Sequence, residues 1–346
     1  MTLNIALLGF GVVGQGLAEI LEDRRKELAD HLGFEANVVA ISDKMKGSIY
    51  HPGGLKAAEA LRAVKETGSL DAYPEEPGLI RGWDSFRTIR ETNADVIVEL
   101  TFTDVKTGQP AIDHCRAAFE CKKHVVMSNK GPVALAYKEL SELARRHGVR
   151  WGYEGTVMSG TPALRMPVVA LAGNRIDEIK GILNGTTNYM LTRMEAGMSY
   201  AEALVEAQTL GYAEADPTND VEGYDAQYKI TILGNIVMKA PLRREDVAVQ
   251  GISKLTPADI QRAKDEGKRW KLIARCSRDG DRITAKVGPE MLPLEDPLAG
   301  VGGAVNAVTY DCDLAGPITL MGAGAGRKET GFSILIDLIN IHRNQL

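Results

Sequence analysis

Three glycines near the N-terminus constrain the fold more than any other feature of the chain. Gly9, Gly11 and Gly14 stand in G-x-G-x-x-G spacing directly after the apolar run Ile5-Ala6-Leu7-Leu8. A run of that length suits a strand buried on both faces. An amphipathic stretch from about Gln15 to His31 follows, with Leu17, Ile20, Leu21 and Leu28 at helical spacing. A second apolar run, Val38-Val39-Ala40-Ile41, closes the unit and ends in Ser42-Asp43. Strand, glycine turn, helix, strand is the arrangement that sets backbone N–H groups and a helix N-terminus against a pyrophosphate. Three glycines alone would make only a turn. In this context they predict dinucleotide binding.

Asp43 ends the second strand, where a carboxylate can accept hydrogen bonds from an adenosine ribose. It lies farther from Gly14 than the usual ~20 residues, which the long first helix explains. Lys44 and Lys46 follow at once and could instead neutralise a 2′-phosphate, and a plain solvated turn would look the same. NAD and NADP both stay open on this reading.

Beyond Asp43 the pattern predicts a Gly/Pro-rich insertion over 44–84 with one helix, Gly54 to Glu66. Strands are expected at Ala94 to Leu100 and His124 to Met127, with helices at Ala111 to Phe119 and about Ala134 to Arg146. Alternation of strands and helices means an α/β, Rossmann-like, doubly wound parallel sheet. After Val149 the pattern changes. A strand at Asp177 to Leu183, helices at Thr187–Glu195, Ser199–Leu210 and Pro217–Met238, and strands at Leu272–Cys276 and Ile283–Val287 predict a second, α+β domain. The apolar segment Phe332 to Ile341 is expected to pack back as a helix on the first domain. The domains are thus 1–150, completed by 318–346, for the dinucleotide, and 151–317 for substrate, catalysis and dimerisation.

Composition removes several function classes. Lys and Arg number 41 against 46 Asp and Glu, a net charge of -5, with no long basic run, which argues against nucleic acid and anionic membranes as partners. No apolar stretch reaches the ~20 residues of a membrane span. The N-terminus runs straight into the glycine turn and does not read as a signal peptide. The 4 cysteines show neither CxxC spacing nor a matching histidine cluster, so disulfide scaffolds and zinc ribbons are not expected. A cytoplasmic enzyme remains.

Three segments carry candidate chemistry. Lys130 follows Ser128-Asn129 at the carboxyl end of a strand, where it would point into a cofactor cleft. Hydride transfer between an alcohol and a carbonyl also moves a proton, which a lysine can hold. Its ordinary pKa of ~10.4 would need lowering, and a surface lysine after a strand is the plain alternative. The block Gly211 to Lys229 is the densest, with Glu214, Asp216, Asp220, Glu222 and Asp225 ahead of Lys229. Asp216 reads as a helix N-cap and Pro217 as the first helical residue. Asp225 and Lys229 are then one turn apart. An exposed pair of this kind would be worth little, but the helix continues as Ile230 to Met238, too apolar for a surface. Carboxylates at such a cleft suit a substrate ammonium. Asn184-Gly185-Thr186-Thr187-Asn188 offers N–H groups and hydroxyls to a substrate carboxylate, or is simply an N-cap.

Taken together these motifs resemble homoserine dehydrogenases over almost the whole chain. The resemblance rests on Gly9 to Gly14, Ser128-Asn129-Lys130, Tyr153 to Pro162, Gly181 to Tyr189, Gly211 to Lys229 and the run Gly322 to Gly326. It implies reversible NAD(P)H-dependent reduction of L-aspartate 4-semialdehyde to L-homoserine, a step toward threonine, methionine and isoleucine. It implies Lys130 and Lys229 as catalytic lysines, with Asp225 orienting Lys229 and a water. Glu214 and Asp220 would bind the ammonium end, and Tyr212, Gly185 and Thr186 would complete the pocket. Phe10, Val12, Val13, Thr101, Ser128, Lys130 and Gly324 would line the dinucleotide. Na⁺ or K⁺ would be held by Glu154 with backbone carbonyls of Val157, Ser159 and Thr161. A homodimer is implied as well.

The chain departs from the family at two places. Met158 and Ser159 stand where smaller residues are usual, and Thr330 is followed by Gly331 where alanine is usual. The sequence ends at Leu346, too soon for the regulatory domain of many bacterial members or for a fused aspartate kinase, so threonine feedback through such a domain is not expected. Two alternatives remain: a dehydrogenase of another small hydroxy or amino acid, and a non-catalytic dinucleotide sensor. Retention of Glu214, Asp220, Lys130, Asp225 and Lys229 speaks against both. Aldehyde oxidation through a thiohemiacetal would need a nucleophilic cysteine, and none has an adjacent catalytic signature.

Overall fold

The computed structural model describes residues 2–104 and 106–346. The chain divides into two compact units, residues 1–160 with 326–346, and residues 161–325. These boundaries differ from the expected ones: 151–160 belongs with the first unit and 318–325 with the second.

The first unit begins with β1 (Leu3–Leu8), whose residues from Ile5 onward are buried, as a strand covered on both faces requires. The expected single helix is two, α1 (Val12–Asp23) and α2 (Arg25–Leu32), broken at Arg24. β2 (Ala36–Asp43) pairs parallel with β1. The segment expected as an insertion instead extends the sheet. β3 (Gly47–Tyr50) folds back antiparallel on β2, α3 (Ala57–Thr67) follows, and β4 (Ile80–Arg81) pairs with β3. Strands this short carry little periodic signal among so many turn residues. Then come α4 (Ser85–Glu91), β5 (Val96–Glu99), α5 (Ala111–Glu120), β6 (His124–Met127), α6 (Lys130–His147) and β7 (Trp151–Gly152).

Among the described residues the sheet order is β4-β3-β2-β1-β5-β6-β7. From β1 the chain winds to β2 on one side and later to β5 on the other. The carboxyl ends of β1 and β5 therefore flank the topological switch point, where open α/β sheets bind ligands. The C-terminal helix Arg327–His342 returns to this unit and starts earlier than its apolar segment indicated. Its Ile334, Leu335, Leu338 and Ile339 join Leu17, Leu21, Ile5 and Leu7 in one buried cluster.

The second unit opens into β8 (Ile176–Ile182), α7 (Gly185–Glu195), α8 (Tyr200–Thr209), α9 (Thr218–Val221) and α10 (Tyr224–Val237). The one long helix expected over 217–238 is thus two, because Gly223 sits between them at φ +82°, a left-handed conformation that ends one helix and caps the next. Asp216 is not the N-cap either. Pro217 is, and the Asp216 carboxylate instead accepts from the Thr218 N–H at 3.1 Å. After β9 (Ala248–Val249) and α11 (Pro257–Asp265), a long hairpin of β10 (Lys268–Asp279) and β11 (Arg282–Pro293) and a second of β12 (Val305–Cys312) and β13 (Gly316–Ala323) complete the sheet. Its order is β13-β12-β8-β10-β11-β9. Helices α7 and α10 pack on it. The second hairpin was not expected. Part of it is the glycine-containing segment that, as sequence, reads only as a loop.

Candidate active site

The glycine turn is built as the spacing predicts. Gly9 has φ +97°, and a Cβ there would stand 2.6 Å from the Leu100 carbonyl at the end of the neighbouring strand. A Cβ on Gly14 would stand 2.6 Å from the Gly9 carbonyl, while Gly11 faces open space. No side chain caps the N-terminus of α1 and no acidic residue lies in its first turn, so its N–H groups and dipole suit an anion. Val12 is 62% exposed beside this turn and Val13 packs against the core. The Phe10 ring is fully buried in the core, so Phe10 takes part in the turn through its backbone.

Asp43 secures that backbone. Its Oδ2 accepts the Phe10 N–H at 2.7 Å, and its Oδ1 accepts those of Met45 and Lys46 at 2.9 and 3.0 Å. Burial works against its charged form, but these hydrogen bonds and the Lys46 ammonium hold its carboxyl below the usual range. The residue proposed for a ribose therefore also staples the glycine turn to the end of β2.

Across the switch point, the end of β5 presents Thr101 and the end of β6 presents Ser128, both half-buried. Asn129 caps α6 by accepting the Gly131 N–H at 3.0 Å, and its amide donates to the Thr101 carbonyl at 3.0 Å. Lys130 is the first residue of α6, half-buried. The following loop holds Glu154, Val157 and Ser159, all buried. Ser159 has φ +53°, an uncommon conformation for serine, and its hydroxyl is 2.8 Å from that of Thr330. Thr161 is the first residue of the second unit. Among the described residues, no group of three His, Cys, Asp or Glu could hold a metal ion.

In the second unit the structure brings together Asn184, Asp220, Asp225 and Lys229. Asn184 caps α7 through its Oδ1, which accepts the Thr187 N–H at 2.9 Å. Its amide donates to Asp220 Oδ1 at 2.7 Å and Asp225 Oδ2 at 3.1 Å. Lys229 Nζ is 2.7 Å from the same Asp225 Oδ2 and donates to the Leu183 carbonyl at 2.7 Å. Lys229 is 6% exposed, so the pair is not the screened surface pair its spacing alone would allow. Gly185 opens α7, and a Cβ there would stand 2.7 Å from the Ala304 carbonyl. The Thr186 hydroxyl donates to the Tyr212 carbonyl, and the Tyr212 ring lies 4.9 Å from that of Tyr189. Glu214 is exposed on the loop after α8 and is not drawn into this cluster. Gly324 lies just beyond β13 against the Asn306 side chain.

Asn184 was visible in the sequence as part of a segment for a substrate carboxylate or as an N-cap, and its further role, holding two carboxylates, depends on contacts across the fold. Asn129 and Glu99 gave no signal apart from their place at strand ends. The buried thiols are poor nucleophiles. Burial, then the nearby Glu99 charge, raises Cys115 well above the usual thiol range, and burial pushes Cys276 up to about 12 and raises Cys312. That disfavours aldehyde oxidation through a thiohemiacetal on any of these three, and the exposed Cys121 follows the end of α5 with no adjacent catalytic signature.

Comparison with known proteins agrees with this geometry. Residues 9–154 match the family model for the homoserine dehydrogenase NAD-binding domain, and residues 162–339 match that for homoserine dehydrogenase. A relative from Pseudomonas canavaninivorans, an NAD(+)-dependent homoserine dehydrogenase, is 44% identical over 99% of this chain and 96% of its own. A homoserine dehydrogenase from Methanocaldococcus jannaschii is 42% identical over 99% of both. A hyperthermophilic archaeal homoserine dehydrogenase solved in complex with NADPH superposes with a TM-score of 0.85 at 29% identity, covering 99% of this chain and 98% of that one. With both halves matched and two relatives alike over their full lengths, this chain belongs to the homoserine dehydrogenase family.

Proposed function

We propose that this family member interconverts L-homoserine and L-aspartate 4-semialdehyde, with Lys229 as the proton-handling residue of the second unit and Lys130 as that of the first. The observation that carries the reading is the buried Lys229 amine, fixed by Asp225 and the Leu183 carbonyl at 2.7 Å each. An amine held by two acceptors is aimed rather than mobile, as a proton donor or acceptor must be.

The glycine turn fits a dinucleotide: Gly11 faces open space, Gly9 and Gly14 lie too close to the Leu100 and Gly9 carbonyls for any side chain, and the first turn of α1 is free of acidic side chains. Phe10, Val12, Val13, Thr101, Ser128 and Gly324 would line the dinucleotide, which when bound supplies or accepts the hydride. Asp43, anionic at the end of β2, supports NAD(H) over NADP(H), because it opposes a 2′-phosphate. In the oxidation direction the substrate hydroxyl proton passes to Lys229 Nζ. In reduction the same amine returns it to the carbonyl oxygen. Asp225 keeps the lysine in place and orients a water. Asp220 and Glu214 receive the substrate ammonium, and Gly185, Thr186 and Tyr212 complete the pocket. Glu154, with backbone carbonyls of Val157, Ser159 and Thr161, would hold Na⁺ or K⁺; an all-oxygen set with one carboxylate suits a hard monovalent ion. A biosynthetic dehydrogenase of this kind works in the cytoplasm. β13 is an edge strand carrying Met321 at 58% exposure, which supports a homodimer.

Initial rates from L-homoserine with NAD⁺ and NADP⁺ separately, in Na⁺, K⁺ and tetramethylammonium buffers, test this reading. Turnover lost in Lys229→Ala, with NADH affinity retained, is expected. Binding of dinucleotide without homoserine oxidation in any buffer would refute the substrate. Equal rates in all three buffers would remove the cation, and a monomer by light scattering would remove the dimer.

A further inference from the structure

A buried polar chain in the first unit takes no part in the chemistry above. Glu99, the last residue of β5, is fully buried. Its Oε1 accepts the Thr101 N–H at 2.8 Å and also the Thr101 hydroxyl. Its Oε2 lies 2.7 Å from His114 Nδ1 on α5, and His114 Nε2 lies 2.7 Å from Ser85 Oγ at the start of α4. His114 is 2% exposed, and the Phe86 ring packs edge-on against it at 4.9 Å. Both imidazole nitrogens are engaged, so the ring cannot turn, and the carboxylate as acceptor fixes the Nδ1–H tautomer. The far side of Thr101 is held too. Its carbonyl accepts from Asn129, the residue that caps the helix beginning at Lys130.

A carboxylate and an imidazole in a dry interior cost more than apolar side chains of the same volume would. What they supply here is geometry. The first loop residues beyond β5, beside the switch point, are fastened through Thr101 by both its backbone and its side chain. We propose that Glu99, backed by His114 and Ser85, is a positioning residue for dinucleotide binding that acts through Thr101. The proposal rests on the reading of Thr101 as a residue lining the dinucleotide.

A double-mutant cycle on the full chain tests it: wild type, Glu99→Gln, Thr101→Val and the double variant, compared by fluorescence titration with NADH and by steady-state kinetics. Each single variant weakens NADH binding about tenfold, the scale of one charge-assisted hydrogen bond. The double variant is no weaker than the worse single one, because both remove the same link. KM for the dinucleotide rises more than kcat falls, and KM for homoserine is unchanged. A merely structural Glu99 would lower the melting temperature with no coupling in NADH affinity. If Glu99→Gln does not fold, His114→Leu loosens the outer carboxylate oxygen and carries the same cycle. Additive losses, or full affinity in Glu99→Gln beside a loss in Thr101→Val, overturn the proposal while leaving the reading of Thr101 intact. Unchanged affinity in Thr101→Val removes that reading, and the proposal with it.

Discussion

Asp225 Oδ2 accepts from two directions: the Lys229 amine at 2.7 Å, one turn along the same helix, and the Asn184 amide at 3.1 Å, from the cap of α7. One oxygen thereby joins the proposed catalytic lysine to the helix N-terminus proposed for the substrate. Replacing either partner leaves the other misplaced, and the first two expectations follow from that.

Lys229→Ala lowers kcat by about 10²- to 10⁴-fold, the usual range for a positioned proton-transfer group. NADH affinity, a property of the first unit, stays within twofold of wild type (a change of about 0.4 kcal/mol or less). Asp225→Asn keeps the shape but removes the charge, so it lowers kcat with a smaller loss of stability. Steady-state rates and NADH titration of both variants check this. Full turnover in Lys229→Ala would end the assignment.

Asn184 separates capping from carboxylate alignment. Asn184→Ala loses the cap and destabilises by ~1 kcal/mol while raising KM for homoserine. Asn184→Asp keeps an oxygen for the Thr187 N–H but sets a third carboxylate beside Asp220 and Asp225. The melting temperature should fall further than in Asn184→Ala although the cap is kept, and KM should rise at least as much. A melting temperature and KM close to wild type in Asn184→Asp would show capping to be the whole role.

Gly16 tests packing against propensity. Alanine is the better helix former by ~1 kcal/mol, yet a Cβ at this α1 position would overlap the Arg327 carbonyl of the C-terminal helix. Gly16→Ala is therefore expected to destabilise by about 1–3 kcal/mol, the cost of overpacking. Denaturant unfolding gives the sign directly, and a stabilised variant would contradict the helix contact.

Lys271 on β10 is 2% exposed and donates to Asn188 Oδ1 at 3.1 Å and to the Val301 carbonyl. Burial pushes its pKa down to about 8 from the ordinary 10.5. Below pH 8 both folded and unfolded states carry the charge, and the fold bears the cost of burying it. Between about pH 8 and 10.5 only the unfolded state keeps the proton, so stability from this group rises with pH, by an amount of order 3 kcal/mol. The difference in melting temperature between wild type and Lys271→Met, in which shared titrations cancel, should shift in favour of wild type across that window. A flat difference would show that the buried amine keeps its proton in the fold across that window, so that burial does not lower its pKa.

Much of the fold was legible because local signals agreed with the final structure. The run Ile5 to Leu8 suited a doubly buried strand, and a glycine at position 9 was needed where φ reaches +97° and the Leu100 carbonyl lies too close for any side chain. The apolar continuation of α10 showed that the Asp225–Lys229 pair would not face water, before any contact was known. Strands without an apolar run of their own were not legible. β3, β4, β12 and β13 owe their conformation to partners distant in sequence, and ladder pairing leaves little local trace.

By itself, then, the sequence determined the dinucleotide turn, the alternating strand and helix order, and the chemical types of residue available for proton transfer. Each depends on backbone conformation, periodicity or side-chain identity, which are properties of the local chain. Only the tertiary structure decided which groups meet: that the Phe10 ring packs in the core, that Asp43 staples the glycine turn, that Asn184 aligns two carboxylates, and that Glu99 and His114 stand behind Thr101. Hydrogen bonds of that kind join side chains from separate elements, and their geometry is set by how sheets and helices pack, which no spacing within a single segment encodes.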